Sequence, residues 1–421
     1  MALTSGQPPH WRLARLELRG IRGFRSLDLD FSSGTPQRPA PSVVIGTNGT
    51  GKTTLLRAIV LGLVDESDAQ ALLAFPNGGL LSTGAREGSI TVHLRGRRGQ
   101  RETRTKTIHR VRSGERIVDI TSLPDIDSPS ADTGAAPLFV AAYGIARTRR
   151  GESLTRAYRH FDSVETLFNY DAQLVPAELG LRRFKDFAGT KRFTSTINAL
   201  KRALNLKSGT TFTLPKGGGV EVSGPQVGSR VPLEGLADGY RINLAWIFDL
   251  FGHAMTADAW DEKGRMSGIL LVDELEQHAH PAVQRTLLDR LRSVFPGMQI
   301  ICTTHSPLVA LGQANENVIA LHRRRGQVRR VEVRSNMAGM TAEDLLEHGG
   351  LFGTSPFPPE MDSRLKRHKA LTAVKDSGKP LSASKSKEVA SLGRRLTEEA
   401  LTATAPDLAQ EIRDLRQKFA I

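Results

Sequence analysis

An eight-residue loop, Gly46-Thr47-Asn48-Gly49-Thr50-Gly51-Lys52-Thr53, has the residue types that grip a phosphate chain. Its glycines let backbone N–H groups approach an anion closely, and a helix that starts at its end presents a positive dipole to the same point. Lys52 has the reach and charge for β- and γ-phosphates, and the Thr53 hydroxyl can ligate Mg²⁺. Asn48, Gly49, Thr50, Gly51 and Thr54 complete the cradle. The apolar run Ser42-Val43-Val44-Ile45 reads as a buried strand before the loop. Leu55, Leu56, Ile59, Val60 and Leu63 follow at helical spacing. Strand, loop and helix in that order form the context this phosphate-binding pattern requires. The expected ligand is ATP with Mg²⁺.

Three further elements carry chemistry. Ile269-Leu270-Leu271-Val272 reads as a buried strand ending in Asp273 and Glu274. A strand aimed at the phosphates would bring Asp273 to the metal and Glu274 to the attacking water; the bland alternative is an acidic strand end. Gln299-Ile300-Ile301-Cys302 leads into Thr303-Thr304-His305-Ser306, where His305 can hydrogen-bond a γ-phosphate. Asp238 and Gly239 lie at the start of an almost continuously apolar helix, and a small residue, an acid and a glycine there suit an anion site. An ordinary cap on a core helix is the other reading.

The elements that must position these residues follow from periodicity. Alternation of Leu16 and Leu18, then of Leu27, Leu29 and Phe31, predicts two half-buried strands. Ile90 to Ile120 alternates again, as an antiparallel meander with Arg95, Arg97, Arg98, Arg101, Arg104, Arg110 and Arg112 at its turns and edges. Residues 151–206 look helical and basic. A hairpin around Gly217-Gly218-Gly219 and a helix from Pro281 follow. The expected division is 1–150 and 207–335 as two parts of one ATPase core, 151–206 as an inserted helical lobe, and 336–421 as a helical tail that could dock a partner.

Composition sets the outer limits. The 421 residues are 39 % hydrophobic and 24 % charged, ordinary globular values. No apolar run reaches the roughly 20 residues of a bilayer span, so no membrane is expected. One cysteine, Cys302, excludes an intrachain disulfide and a cysteine metal cluster. The expected location is the cytoplasm. The net charge of +14 favours polyanions, with DNA or RNA bound through an Arg-rich surface, against the alternative of a merely solvated basic surface.

The four motifs in this order resemble the ATP-binding-cassette ATPases, in the branch of SMC, RecF and OLD-type proteins. The opening Leu16-Glu17-Leu18-Arg19-Gly20-Ile21-Arg22-Gly23-Phe24 is similar to that branch's first strand and turn. Asp273-Glu274-Leu275-Glu276-Gln277-His278-Ala279-His280-Pro281, Thr303-Thr304-His305-Ser306-Pro307 and Ala142-Tyr143-Gly144-Ile145-Ala146-Arg147 resemble strings of bacterial defence ATPases. The resemblance implies an α/β P-loop NTPase: a mixed sheet flanked by helices, with an antiparallel β subdomain. It also implies ATP held between two head-to-tail subunits, with Glu274 and His305 catalytic and Asp238 and Gly239 touching the partner's nucleotide. Ala237-Asp238 stands where the family commonly has serine.

No Asp-x-Asp pair follows His305, so the Toprim nuclease of OLD-type proteins is not expected. Septu-type and PARIS-type defence ATPases share this layout, with the nuclease on a separate chain. The resemblance therefore implies a homodimer or higher oligomer and a separate effector. The alternative is a DNA-repair or recombination ATPase of the RecF or SMC kind. His278 and His280 are expected to be structural.

Overall fold

The computed structural model describes residues 11–404 except 36–37, 76–78, 97–98, 125–137, 148–160, 217, 261–264, 334–336, 349–350, 356 and 378–380. Arg97, Arg98, Gly217 and the first part of the expected lobe lie outside the described residues.

The strand Ser42–Ile45 is central in a six-stranded sheet. The order is Gln327–Val331, Val318–Arg324, Ser42–Ile45, Gly297–Thr304, Ser267–Val272, Val140–Tyr143. Neighbours run parallel, apart from the terminal hairpin pair. Ile269 and Leu271 pack into one apolar cluster; Leu270 and Val272 pack into a second. Burial on both faces explains why these strands read as unbroken apolar runs.

One face carries the helix Lys52–Leu63 and a five-stranded antiparallel sheet. That sheet runs Phe24–Asp30, Arg12–Ile21, Glu87–Arg95, Arg101–Val111, Gly114–Pro124. Leu16, Leu18, Ile90 and Val92 point inward while Glu17 and Thr91 are only partly covered, the alternation of a one-sided sheet. The Gln299 side chain joins the two sheets, accepting from Leu13 N–H at 2.8 Å and donating to Leu13 C=O at 2.9 Å.

The other face carries the helices Ala177–Ala203, Asp238–Thr256 and Pro281–Val294. The first is broken at Gly189, where φ is 68° and ψ 163°. Leu181, Phe184 and Leu200 bury it in the same apolar cluster as the helix from Asp238, so this segment is part of the core's packing.

The chain divides into two compact units between Phe352 and Gly353. Met337, Leu345, Leu351 and Phe352 are buried in the first unit's core. The second unit contains helices Pro359–Asp376 and Ala383–Thr404, joined by Arg367 donating to Glu388 at 2.9 Å. No described helix is long and apolar enough to cross a membrane.

Candidate functional site

The chain leaves Ile45 and turns through Gly46, Gly49 and Gly51, with φ of 152°, 78° and 83°. Gly51 is one position where glycine is required. It is left-handed, and a Cβ there would lie 2.9 Å from the Phe24 ring. Thr50 is buried, and its hydroxyl donates to Thr47 C=O at 2.7 Å, pinning the loop.

Lys52 begins the following helix and is 6 % exposed. Its ammonium donates to Gly46 C=O at 2.8 Å and Thr47 C=O at 3.2 Å. Burial lowers its pKa, opposed by the negative charges of Asp273, Glu274 and Glu276. A charge held on two loop carbonyls can exchange them for phosphate oxygens.

The strand ending at Val272 delivers the acids, and the strand ending at Thr304 lies between it and the loop's own strand. Asp273 is 2 % exposed. One carboxylate oxygen accepts from Thr53 Oγ1 at 2.7 Å, the other from Thr303 Oγ1 at 2.5 Å. Thr303 Oγ1 in turn accepts from Glu274 N–H at 2.8 Å. Glu274 has φ 46°, a conformation that non-glycine residues take only under constraint. His305 Nε2 lies 3.6 Å from the Glu274 carboxylate.

These residues border a cavity of about 730 Å³ lined by Asn48, Gly49, Gly51, Lys52, Thr53, Thr54, Glu274 and His305 on one side. The turn at Arg22-Gly23 and the hairpin at Arg323-Gly326-Val328 form another wall. Arg323 also donates to Gly49 C=O at 3.2 Å. Thr50 and Asp273 are buried and do not line the cavity.

Asp238 and Gly239 do not line it either. Asp238 is the first residue of the helix Asp238–Thr256 and gives no side-chain cap; it pairs with Arg241 at 2.8 Å. Gly239 lies against the His278 carbonyl, 2.7 Å from where a Cβ would sit. His280 caps the helix from Pro281, with Nδ1 accepting from Ala282 N–H at 3.2 Å. Among the described residues no group of three or more His, Cys, Asp or Glu could hold a metal ion.

Two supporting residues had no assigned role in the sequence. Arg147 is 1 % exposed and donates to the carbonyls of Gly144 at 2.9 Å, Asp273 at 2.7 Å and Glu274 at 2.9 Å. Desolvation pulls its pKa down to about 10. Glu276 accepts from the His305 backbone N–H at 2.6 Å. Their signal was their place inside the quoted strings; what they hold appears only in three dimensions.

Residues 15–134 match a family described as "AAA domain", and residues 145–311 match one described as "AAA domain, putative AbiEii toxin, Type IV TA system". The chain is similar to AAA-domain P-loop ATPases. This ATPase is 24 % identical over 365 residues to the Septu protein PtuA of Bacillus mycoides (strain KBAB4), covering 84 % of the chain and 46 % of that protein. It is 24 % identical over 437 residues to the "Retron Ec83 probable ATPase" of Escherichia coli, covering 83 % of the chain and 77 % of that protein. The ATPase thus spans less than half the length of the Septu relative. Among solved structures, the SMC head domain from Thermotoga maritima aligns at TM-score 0.42 and 16 % identity, over 77 % of this chain and all of that one. RecF with bound ATPrS aligns at TM-score 0.41 and 12 % identity, over 77 % and 99 %.

Proposed function

We propose that this ATPase is the nucleotide-switched subunit of an anti-phage defence system, acting on nucleic-acid processing through a separate nuclease or other effector. The names of its Septu and retron relatives support the defence setting. The observation that carries the mechanism is the relay Thr53–Asp273–Thr303–Glu274, with His305 beside Glu274 and the Gly239 helix start outside the same cavity.

On this reading the loop 46–54 holds the ATP phosphates and Lys52 trades its two carbonyls for phosphate oxygens. Thr53 and Asp273 offer a hydroxyl and a carboxylate oxygen 2.7 Å apart, the hard donors that suit Mg²⁺. Bound there, Mg²⁺ would supply charge neutralisation on the β- and γ-phosphates. Glu274 accepts a proton from the attacking water, and His305 hydrogen-bonds the γ-phosphate. Asp238 and Gly239 meet the nucleotide of a second, head-to-tail copy, so ATP binding closes a dimer and hydrolysis opens it. Segments 1–150 and 207–335 are the two parts of the ATPase core. The segment 151–206 and the C-terminal helices offer surfaces to a partner.

The test is Glu274→Gln, which keeps the side chain's shape and removes the base. With ATP and Mg²⁺ it should elute at dimer mass in size exclusion with light scattering, and at monomer mass with ADP. A variant saturated with ATP, as read by fluorescent-nucleotide competition, yet still monomeric would overturn the head-to-tail reading.

A further inference from the structure

The sequence placed its nucleic-acid surface on the antiparallel meander. There, Arg104 donates to Glu102 at 2.6 Å and Leu63 C=O at 2.7 Å. Arg110 donates to Ala85 and Ser82 carbonyls and lies 3.6 Å from Glu115. These guanidiniums are committed within the fold.

The hairpin of strands 318–324 and 327–331 differs. The apolar run of its first strand ends at Leu321, and His322, Arg323, Arg324, Arg325, Arg329 and Arg330 are all exposed. Among the described residues none of these five arginines pairs with a carboxylate. Arg323 bonds Gly49 C=O, and Arg329 bonds Gln327 Oε1 at 3.3 Å. In the register His322 stands opposite Arg329 and Arg324 opposite Gln327. Side chains alternate along a strand, so His322, Arg324 and Arg329 share one face, with Arg325 at the turn. Val328 N–H donates to Gly23 C=O at 2.8 Å, which seats the hairpin against the wall of the nucleotide cavity.

We propose that the hairpin 322–330 is the site that grips the phosphodiester backbone of a nucleic acid, beside the nucleotide cavity. This rests on the nucleic-acid part of the function proposed above. Contacts of guanidinium to phosphate carry affinity without base preference, and binding falls with salt in proportion to the phosphates neutralised.

The experiment uses the full chain and two labelled probes of mixed sequence, a duplex of about 30 base pairs and a single strand of about 30 nucleotides, followed by anisotropy from about 50 to 300 mM KCl. The hairpin variant is Arg324→Gln/Arg325→Gln/Arg329→Gln. A turn-only variant is Arg324→Gln/Arg325→Gln, and a meander control is Arg95→Gln/Arg112→Gln. The parent should bind with log K falling linearly with log salt. The hairpin variant should lose tenfold or more in affinity at low salt, and its duplex slope should fall by about 2.7, at roughly 0.9 per phosphate contact. The turn-only variant should lose about 1.8 of slope, which keeps the test open if the threefold variant folds poorly. The meander control should match the parent, and basal hydrolysis should be unchanged in all three. A parent that binds while both hairpin variants keep its affinity and slope overturns this inference and leaves the nucleic-acid reading standing. A parent that binds neither probe at low salt overturns both.

Discussion

Replacing Arg147 with methionine tests whether Glu274 is held in place from behind. The guanidinium makes three hydrogen bonds to buried carbonyls, two of them on Asp273 and Glu274 themselves. Charge-assisted bonds of this kind are worth about 1.5–3 kcal/mol each, or about 5–9 together. Against this, burial has displaced the pKa from 12.5 to about 10, a penalty on the charged form of about 3.4 kcal/mol that methionine escapes. The difference is a loss of roughly 2–5 kcal/mol in unfolding free energy. The effect on chemistry should exceed the effect on binding. Glu274 sits at φ 46°, fixed by Arg147 on its carbonyl and Thr303 on its N–H. Releasing one tether lets the peptide relax, and a displacement on the order of 1 Å costs about a hundredfold in rate. The contacts of Lys52 and the glycine loop do not involve Arg147, so nucleotide affinity should stay within about twofold. Single-turnover hydrolysis and fluorescent-nucleotide titration separate the two. Arg147→Lys, which lacks the fork that spans both carbonyls, should recover stability better than rate. Full hydrolysis at parental rate in a destabilised Arg147→Met protein would refute the positioning role, as would equal losses of affinity and rate.

Two other perturbations follow from the same geometry. Gly51→Ala puts a Cβ 2.9 Å from Phe24 in a left-handed residue, which should cost about 2–3 kcal/mol in urea unfolding and at least tenfold in nucleotide affinity; parental affinity would show that the loop does not need this glycine. Lys106 is 2 % exposed, donates to Leu61 C=O at 2.6 Å and to Val64 C=O, and has its pKa lowered by desolvation from 10.5 to about 8. Between these values the unfolded chain binds more protons than the folded one, so stability should rise as pH goes from 8 towards 10.5, by up to about 3 kcal/mol. Lys106→Met should lack that rise, and identical pH slopes for the two proteins would sink the assignment.

Most of the candidate site was legible because each part sits at the end of an apolar run. Glycines, lysine and threonine after Ser42–Ile45, two acids after Ile269–Val272, and a histidine after Ile300–Thr304 are local patterns, and parallel strands bring their C-terminal ends together. What stayed hidden depends on long-range partners. Arg147 looked like one residue of a string until its guanidinium was seen on Asp273, 126 residues away. Within the Arg-rich meander, nothing local says that Arg104 turns back to Leu63. The burial of Met337, Leu345, Leu351 and Phe352 was not legible either, because they are scattered among polar residues without a clear period.

The partners of Asp273 bear on what the cavity can hold. Its two carboxylate oxygens accept from two threonine hydroxyls, which are neutral, so no cation among the described residues contacts its side chain. Glu274 and Glu276 add negative charge close enough to influence Lys52. The two terminal nitrogens of the buried Arg147 donate to backbone carbonyls. That leaves Lys52, Arg22, Arg323 and the His305 imidazole to face a triphosphate, which on the proposed reading would bring several negative charges of its own. Three acids beside such a ligand would repel it at close range in a partly desolvated site. On the proposed reading, Thr53 and Asp273 would hold a divalent cation, whose charge would offset this repulsion. The same accounting explains why the relay uses hydroxyls where arginine or lysine would have given stronger bonds. A neutral donor orients Asp273 and leaves its charge available, whereas a cationic one would satisfy it and remove the reason for the metal to bind.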